Sequence, residues 1–249
     1  MSPTSKPGAG RTYFVADLHL TDERPAATGR FFRFLQDEAA GADALYILGD
    51  LFEAWIGDDH DDAVARDTAQ RLAALAATGT PVYFMHGNRD FMLAGRYAAR
   101  SGMTLLADPT RIDLYGVPTL LMHGDTLCTD DTAYQAFRRR VRHPLTRALL
   151  RRLPRALRSR MARQARAGSE AAKAHKAAAI MDVNEAEVAR AMREHRVCRL
   201  IHGHTHRPAQ HVHRIDGREC ARWVVPDWYA RWGYVACDAT GCTLKTEAL

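Results

Sequence analysis

Long apolar runs, an export signal and paired cysteine spacings are all missing from this sequence. No stretch approaches about 18 uninterrupted apolar residues, and this excludes a transmembrane helix of ordinary length. Residues 1–10 contain no apolar segment, so we interpret them as a short flexible tail and not as a secretory signal. The five cysteines form no C-x-x-C pair, and we therefore expect reduced thiols in a cytosolic protein.

Acidic residues are almost absent from one segment, residues 138–176, where fourteen Arg and Lys accompany the single acid Glu170. The rest of the chain carries 21 basic and 28 acidic residues, so an acidic body holds one strongly basic segment. Such a segment favours an anionic partner, which can be a phosphate ester, a nucleic acid or a membrane surface. The overall composition, 47% hydrophobic and 26% charged, excludes collagen-like and wholly disordered chains.

Short β-rich runs alternate with helical runs in the first half of the chain. This alternation predicts a βαβ sheet with helices on the outside. Helices are expected at 28–40 and 61–77, and residues 129–191 are wholly helical in pattern, with prolines at 144 and 154 interrupting them. The predicted strands are 11–16, 44–48, 81–85, 111–114, 119–122, 198–201, 211–214, 222–225, 234–238 and 243–246.

Five of these strands end in a short polar turn that carries Asp, His or Asn, and four of these turns contain a glycine (49, 87, 124 and 203). In open α/β sheets, sites form beyond the carboxyl ends of strands, so these turns would converge on one edge. Asp-x-His and His-x-His place alternate side chains on the same face of an extended segment, where both can reach one ion. The candidate metal ligands are Asp17, His19, Asp50, Asn88, His123, His204 and His206.

Mixed carboxylate, imidazole and amide ligands are typical of a divalent ion such as Mn²⁺, Fe²⁺ or Zn²⁺. Seven ligands exceed one tetrahedral site, so the set indicates two ions, with Asp50 as the carboxylate that bridges them. Two ions about 3.5–4 Å apart can activate one water and hold both ends of an in-line phosphoryl displacement. Arg89 would bind a phosphate oxygen, and Asp90 could orient it.

Each of these signals is weak alone. A histidine at a strand end is usually structural, and Asp after Gly is most often a turn former; the ordered set at successive strand ends is what indicates a site. We interpret the acidic run 58–62 as a solvated loop. His86 and His202 precede motif glycines, and we expect them to point into the core.

The ordered turns Asp17-Leu-His19, Gly49-Asp50, Gly87-Asn-Arg-Asp90, His123-Gly-Asp125 and Gly203-His-Thr-His206 resemble those of the calcineurin-like metallophosphoesterases. Many members of that family carry His after the Gly-Asn pair, whereas this chain has Arg89. That difference points to a subfamily, the bacterial UDP-2,3-diacylglucosamine pyrophosphatases of lipid A synthesis. The resemblance covers roughly residues 11–245, and the longer matching runs are 49–59, 86–91, 123–131 and 180–184.

The resemblance implies a fold of the α/β class, a four-layer α/β/β/α sandwich with a helical lid insertion. Residues 11–128 and 192–249 would form the metallophosphoesterase domain, and residues 129–191 the lid. Two Mn²⁺ ions are implied, with Asp50 shared between them. The first ion would take Asp17, His19, Asp50 and His206, and the second Asp50, Asn88, His123 and His204.

Catalytic and substrate-binding residues are implied by the same resemblance. The catalytic set would be Asn88, Arg89, Asp90 and His204. The substrate contacts would be Asn88, Arg89, Asp131, Tyr134, Ser169, Lys173, Lys176 and His204.

The implied activity is hydrolysis of the diphosphate of UDP-2,3-diacylglucosamine to UMP and 2,3-diacylglucosamine 1-phosphate, by water activated at two metal ions. Two alternatives stay open: another di-metal phosphodiesterase or nuclease of the superfamily, and a metal-binding relative without catalysis. We expect a monomer that has no nucleic-acid partner. It would be cytoplasmic and attached peripherally to the anionic cytoplasmic face of the inner membrane.

Apolar residues recur at every fourth position from Val141 to Met161, and arginines fill the other faces. With two prolines in the run, we expect two or three short helices. Such a segment can lie in a membrane interface, or it can cover a site and offer an apolar wall to acyl chains and cations to a diphosphate. The alternatives are a solvated basic face and a nucleic-acid surface. The absence of aromatic residues from 138–176 argues against stacking of single-stranded bases.

Overall fold

The computed structural model describes residues 10–175 and 182–249, with residues 169–175 described in backbone only. The flexible tail predicted for residues 1–10 therefore lies outside the described residues, except for Gly10. The elements are β1 (Thr12–Val15), α1 (Pro25–Asp37), β2 (Ala44–Ile47), α2 (Ala63–Ala77), β3 (Val82–Met85), α3 (Gly95–Arg100), β4 (Met103–Leu106), β5 (Thr110–Leu114), β6 (Val117–Met122), α4 (Thr132–Arg142), α5 (Pro144–Arg152), α6 (Arg155–His175), α7 (Glu185–Glu194), β7 (Arg199–His202), β8 (Ala209–Ile215), β9 (Arg218–Val224), β10 (Arg231–Asp238) and β11 (Gly241–Ala248).

Two sheets form the body of the molecule. The first has the strand order β11-β10-β1-β2-β3-β4, and its strands β1 to β4 are parallel. The second has the order β5-β6-β7-β9-β8, and its central strands β6, β7 and β9 are parallel. Each sheet therefore sends several strand ends in one direction, which is the arrangement that a site at a shared edge requires.

Side chains alternate between two cores along β1. Val15 packs in a core that includes Phe34 of α1, and the neighbouring Phe14 packs between the sheets in a core that includes Ile201 of β7. This period of two follows from the strand geometry, which points successive side chains to opposite faces. A strand buried on both faces also explains why residues 12–15 read as a continuous β-rich run rather than as an alternating one.

A third core lies between the second sheet and α7. Leu200 of β7 and Met122 of β6 pack there with Val188 and Met192 of α7. Three cores separate four layers, so the predicted α/β/β/α sandwich is confirmed. The helix α7 begins within residues 129–191, the range predicted as the lid, but ends at Glu194, and it supplies the outer helical layer on the second sheet. The boundaries of the lid stay a prediction.

The two prolines of the basic segment mark where helices begin. Pro144 occupies the first turn of α5, where its missing N–H is not needed, and Pro154 directly precedes α6. The expectation of two or three short helices is confirmed in number by α4, α5 and α6, although α6 is 21 residues long. We call α4 to α6 the insertion helices. No helix in the described ranges combines the length and apolar character needed to cross a membrane.

The prediction of a solvated acidic loop at 58–62 agrees with the exposure of Asp59, Asp61 and Asp62, but most of its carboxylates also bind neighbouring elements. Asp58 accepts hydrogen bonds of 2.9 Å from two backbone N–H groups at the start of α3. Asp62 accepts from a backbone N–H in the first turn of α2 at 2.7 Å. Asp59 pairs with Arg158 of α6, whose Nη1 lies 2.8 Å from Oδ1. The run therefore caps two helices and anchors the insertion helices to the body.

The expectation of reduced thiols is wrong for one pair of cysteines. Cys237 and Cys242 lie directly opposite each other in the antiparallel pairing of β10 with β11, and they form a disulfide. Their five-residue separation was not a recognised pairing signal, because only the register of the hairpin brings the two side chains together. The short elements α3 and β4 were also not predicted from the sequence.

Replacing Asp59 by Asn tests the ion pair that anchors α6. The pKa of Asp59 is lowered, above all because its carboxylate accepts hydrogen bonds from Arg158. We expect Asp59→Asn to lower the free energy of unfolding by about 0.5 kcal/mol near neutral pH, since the carboxylate is largely exposed. This difference should shrink as the pH falls through the lowered pKa, where the wild-type carboxylate also becomes neutral. Urea unfolding at a series of pH values measures it.

The control for this prediction is Asp67→Asn, at an exposed position of α2, which should change little at any pH. A wild-type advantage that stays constant from neutral to acidic pH would show that the ion pair with Arg158 is not its source.

Candidate functional site

The structure brings the predicted metal ligands to one edge, where the carboxyl ends of strands from both sheets meet. Ligand atoms of Asp17, His19 and His206 lie within 4.8 Å of one another, and the same holds for Asp17, Asp50 and His123. Asp17 is common to both groups, whereas the sequence analysis expected Asp50 to be shared. Oδ2 of Asp50 lies 3.8 Å from Nε2 of His19, so both carboxylates lie between the two groups.

Asn88 joins the second group through its side-chain oxygen. Its Oδ1 lies 3.2 Å from Nε2 of His123 and 3.0 Å from Nδ1 of His204. The other ring nitrogen of His123 donates to the backbone carbonyl of Leu48 at 2.8 Å. This bond fixes the ring and leaves Nε2 turned toward the site, as is usual for a histidine that ligates a metal.

Several buried polar atoms in this cluster, all of them possible metal ligands, have no hydrogen-bond partner among the described residues. They are Oδ1 of Asp17 and both ring nitrogens of His19, although these residues are 0% and 2% exposed. A buried polar atom without a partner destabilises a fold by about 1–3 kcal/mol. A divalent cation would satisfy Oδ1 of Asp17 and one ring nitrogen of His19, and the mixed oxygen and nitrogen donors suit Mn²⁺, Fe²⁺ or Zn²⁺. The residues present therefore fit a metal centre.

Five of the predicted ligands have a left-handed backbone, which only glycine adopts without strain. Among the described residues, eight non-glycine positions have a positive φ, and more than half of them lie in this cluster. Such conformations persist where the surrounding structure enforces them, and they are frequent at functional sites. The five residues are Asp17 (φ 52°), His19 (49°), Asp50 (53°), His204 (70°) and His206 (55°).

Two glycines allow the turns after β2 and β3 to touch. A Cβ atom on Gly49, whose φ is +94°, would lie 2.6 Å from the backbone of Gly87 and 2.6 Å from Nδ1 of His123. A Cβ atom on Gly87 would lie 2.1 Å from Oδ1 of Asp50. Any larger side chain at these two positions would displace a predicted ligand.

Burial and charge act together on Asp50 and His123. Burial, with the nearby carboxylates of Asp90 and Asp17, raises the pKa of Asp50 to about 7. Burial opposes the charge of His123, yet the carboxylates of Asp50, Asp125 and Asp17 prevail and raise the pKa of that imidazole to about 9. The site thus concentrates more carboxylate charge than its buried surroundings can solvate, and a cation placed there would relieve this.

Burial favours the neutral form of two further histidines of the cluster. Burial lowers the pKa of His204 to about 3, with a further contribution from the charge of His123. Burial also lowers the pKa of His19 well below its ordinary value. Neutral imidazoles keep a lone pair available, which is the form that binds a metal ion.

The sequence analysis missed a buried carboxylate that joins the site to the insertion helices. Asp125 accepts a 2.7 Å hydrogen bond from Nε of Arg138 and a 3.2 Å bond from Nη2 of Arg142, and Tyr134 donates its hydroxyl at 2.8 Å. Nη2 of Arg142 also donates to the carbonyl of Gly87 at 2.8 Å. The motif containing Asp125 was recognised, but nothing local indicated that its partners lie in α4.

A second missed group lies on the opposite side of the cluster. The carboxylate of Glu53, 4% exposed, has Oε2 3.5 Å from Nδ1 of His19 and Oε1 3.4 Å from Nε of Arg166 in α6. Tyr229 donates its hydroxyl to Glu53 at 3.2 Å, and its ring centre lies 4.8 Å from that of His19. Glu53 lies in the matching run 49–59, and Tyr229 lies in the loop before β10. Neither belongs to an Asp-x-His or His-x-His pair that would mark it as a ligand.

Arg89 and Asp90 have different surroundings from those expected. The backbone N–H of Arg89 donates to Asp50 at 2.7 Å, and its guanidinium is half-buried at the cluster. Asp90 is fully buried and accepts from the backbone N–H groups of Gly87 and Leu51, at 2.8 and 2.7 Å. The expectation that Asp90 orients Arg89 is therefore corrected: its carboxylate oxygens bind the loops after β2 and β3.

Two of the predicted substrate contacts, Asp131 and Tyr134, lie at the start of α4. Asp131 caps α4 by accepting from the backbone N–H of Tyr134 at 3.0 Å, and the ring of Tyr134 lies 5.9 Å from that of His204. Ser169 and Lys173 fall on α6, but their side chains lie outside the described residues. Lys176 lies wholly outside them.

Known proteins resemble this chain along nearly its whole length. A family model described as calcineurin-like phosphoesterase matches residues 10–208. The UDP-2,3-diacylglucosamine hydrolase of Xanthomonas campestris pv. campestris (strain B100) is 50% identical over 245 residues, which are 96% of this chain and 99% of that protein. Proteins of the same name from Enterobacter sp. (strain 638) and Pseudomonas aeruginosa (strain UCBPP-PA14) are 51% and 53% identical, over 94% and 92% of this chain and 97% and 95% of their own lengths.

Gly87→Ala should weaken metal binding, because its methyl group would displace the carboxylate of Asp50. Mn²⁺ at about 100 times its dissociation constant should stabilise the wild-type chain by about 2.7 kcal/mol, which is roughly 5–10 °C in melting temperature for a chain of this size. The variant should lose most of that rise. Thermal unfolding with Mn²⁺ and with a chelator measures it.

Gly95→Ala is the matched control, since nothing lies within 4 Å of the added Cβ at the start of α3. It should keep the full Mn²⁺-dependent rise. An equal rise in Gly87→Ala would contradict the placement of Asp50 in the metal centre.

Proposed function

The chain belongs to the calcineurin-like phosphoesterase family and, within it, to the UDP-2,3-diacylglucosamine hydrolases, and from this membership we propose that it cleaves the diphosphate bond of UDP-2,3-diacylglucosamine. The products are UMP and 2,3-diacylglucosamine 1-phosphate, and the reaction is a step of lipid A biosynthesis. The observation that carries the proposal is the cluster of buried, partnerless donor atoms beside Arg89 at the shared edge of the two sheets.

Two Mn²⁺ ions are part of this proposal. When bound, the ions supply positive charge that stabilises the phosphoryl oxygens in the transition state. The support lies in the mixed donor set and in the buried atoms of Asp17 and His19 that form no hydrogen bond within the described part of the chain. The residues that would hold them are Asp17, His19, Asp50 and His206 for one ion and Asp50, Asn88, His123 and His204 for the other.

Arg89 supplies a fixed cation next to the ligands. Its backbone is held by the hydrogen bond to Asp50, and Nε of its guanidinium has no hydrogen-bond partner among the described residues. A guanidinium binds two phosphate oxygens at once, and this orients the diphosphate as well as neutralising it. Arg89 would therefore stabilise charge that grows on the phosphoryl group during cleavage.

The remaining substrate contacts come from the insertion helices. The hydrogen bond from Tyr134 to Asp125 holds the first turn of α4 beside His204. Asp131 lies in the same turn, and Ser169, Lys173 and Lys176 would approach from α6 and the residues after it. Asn88 and His204 complete the proposed set. Insertion helices over this edge would limit the access of bulk solvent to the reacting diphosphate.

The insertion helices also present an apolar and basic outer face. Leu145 is 74% exposed and Leu149 is 60% exposed, while Leu157 and Met161 are each 42% exposed. The exposed arginines of the same two helices, α5 and α6, are Arg151, Arg152, Arg155, Arg160 and Arg163. We propose that this face binds the anionic cytoplasmic surface of the inner membrane, where the acyl chains of the substrate reside. The protein would act there as a cytoplasmic, peripherally bound monomer without a nucleic-acid partner.

Release of UMP from UDP-2,3-diacylglucosamine in detergent micelles tests the proposed activity. Wild-type turnover should require Mn²⁺ and stop with a chelator. Asp50→Asn should lose nearly all turnover, because the carboxylate charge is missing from the cluster. Arg89→Ala should lower kcat about 10²–10³-fold, as removal of a donor to a developing oxyanion does. Arg96→Ala, an exposed arginine on α3, should match wild type.

Bis-p-nitrophenyl phosphate and DNA serve as competing substrates. Faster turnover of either one than of the lipid nucleotide would replace the proposal by a phosphodiesterase or nuclease activity. Metal binding without turnover of any phosphoester would point to a non-catalytic relative.

Sedimentation with lipid vesicles tests the membrane-binding face. The wild-type chain should bind phosphatidylglycerol vesicles, bind phosphatidylcholine vesicles weakly, and detach as salt rises, because arginines provide much of the attraction. Leu145→Ser with Leu149→Ser should lower binding at least about tenfold, since two apolar anchors are lost. Val212→Ser, at a residue 66% exposed on β8, is the control. Equal loss in the control would contradict this placement of the face.

A further inference from the structure

A buried arginine connects two histidines beneath the turn that carries His204 and His206. Arg222 of β9 is 3% exposed, and its Nη1 lies 3.2 Å from Nε2 of His202 at the end of β7. Its Nε lies 3.1 Å from Nε2 of His213 on β8. Neither histidine belongs to the metal cluster, and the proposed reaction uses none of these three residues.

The arginine determines which nitrogen of His202 carries the proton. A guanidinium only donates hydrogen bonds, so Nε2 of His202 must accept. The hydrogen of the neutral ring is then on Nδ1, which lies 2.8 Å from the carbonyl of Gly203 and donates to it. His213 follows the same logic: its Nε2 accepts, and its Nδ1 lies 2.9 Å from Glu185.

The carbonyl of Gly203 belongs to the turn that presents two predicted ligands. The backbone N–H of Thr205 donates to the same carbonyl at 2.9 Å, and the N–H of Gly203 donates to the carbonyl of His123 at 2.9 Å. His204 donates its backbone N–H to Asp17 at 2.7 Å. The side chain of His202 thus binds this turn through the Gly203 carbonyl, from its position at the end of β7.

The hydrogen bond from His202 to Gly203 is important because the backbone of the turn is strained. His204 and His206 both have a left-handed backbone, which relaxes unless neighbouring contacts oppose it. The turn after β6 is packed directly against the same ring, since a Cβ atom on Gly124 would lie 2.7 Å from Nδ1 of His202. A displaced His202 ring would therefore disturb ligands from both β6 and β7.

We propose that Arg222 and His202 are positioning residues for the metal centre: Arg222 fixes the tautomer of His202, and the Nδ1–H of His202 holds the Gly203 turn so that His204 and His206 meet the ion. The inference rests on the metal centre of the proposed function. Packing alone does not account for the arrangement, since two apolar side chains in place of Arg222 and His202 would fill the same volume at least as well.

The experiment measures Mn²⁺ affinity of the metal-free full chain by titration calorimetry, together with the melting temperature in chelator. His202→Phe keeps the ring volume but has no donor, and its dissociation constant for Mn²⁺ should rise at least about tenfold, as it does when a residue that orients a metal ligand is lost. His202→Asn restores a donor near the position of Nδ1, and it should recover most of the affinity. His211→Asn, on the same face of β8 as His213, should bind Mn²⁺ as the wild type does.

Arg222→Met is the second variant, and it keeps the proposal testable if His202→Phe does not fold. It leaves His202 in place, but nothing then keeps the proton of the ring on Nδ1. The variant should therefore also bind Mn²⁺ more weakly, and its kcat should change more than its KM for the substrate. Unchanged Mn²⁺ affinity in both folded variants, with only the melting temperature lowered, would overturn the positioning role. A wild-type chain that binds no Mn²⁺ would instead overturn the metal centre, and this inference with it.

Discussion

The burial of too many carboxylates and imidazoles at one point is the constraint on which the rest of this structure depends. Asp17, Asp50 and His123 are almost fully buried together, and Oδ1 of Asp17 accepts no hydrogen bond from the residues that the structure describes. An apolar interior does not tolerate such a cluster unless a counter-charge completes it. The strand ends of two sheets, the touching glycine turns and the strained ligand backbones all serve to hold these groups at that point. A cation bound at this point would therefore stabilise the folded chain.

The basic insertion divides its arginines between two tasks. Arg138 and Arg142 lie against Asp125, and Arg158 lies against Asp59, so these three fasten the insertion helices to acidic groups of the body. Only the outward-facing arginines can serve an anionic surface. A count of basic residues therefore overstates the charge that the segment presents to a partner, because part of that charge is neutralised by the same molecule.

Much of this architecture follows from the sequence, and the exceptions share one cause. The alternation of short strands with helices predicts a sheet with helices outside it, and the order of the polar turns predicts the shared edge, because both are local patterns. The four layers were implied by the family resemblance. Glu53, Asp125 and Tyr229 could not be found in this way, since each becomes part of the site only through contacts with distant elements. Asp90 was expected at this edge, where it lies, but Arg89 was expected as its partner. The carboxylate instead accepts from the backbone N–H groups of Leu51 and Gly87, which its proximity to Arg89 in the sequence does not indicate. The Cys237–Cys242 pair likewise depends on strand register.

The left-handed backbone of five predicted ligands sets activity and stability against each other. At each of these positions glycine would relax the main chain, and it would also remove a ligand. At each of these five positions, a mutation to glycine can therefore make the chain more stable and less active. Selection for turnover must remove such mutations. A lineage released from that selection would lose its histidines and aspartates here before it lost its fold.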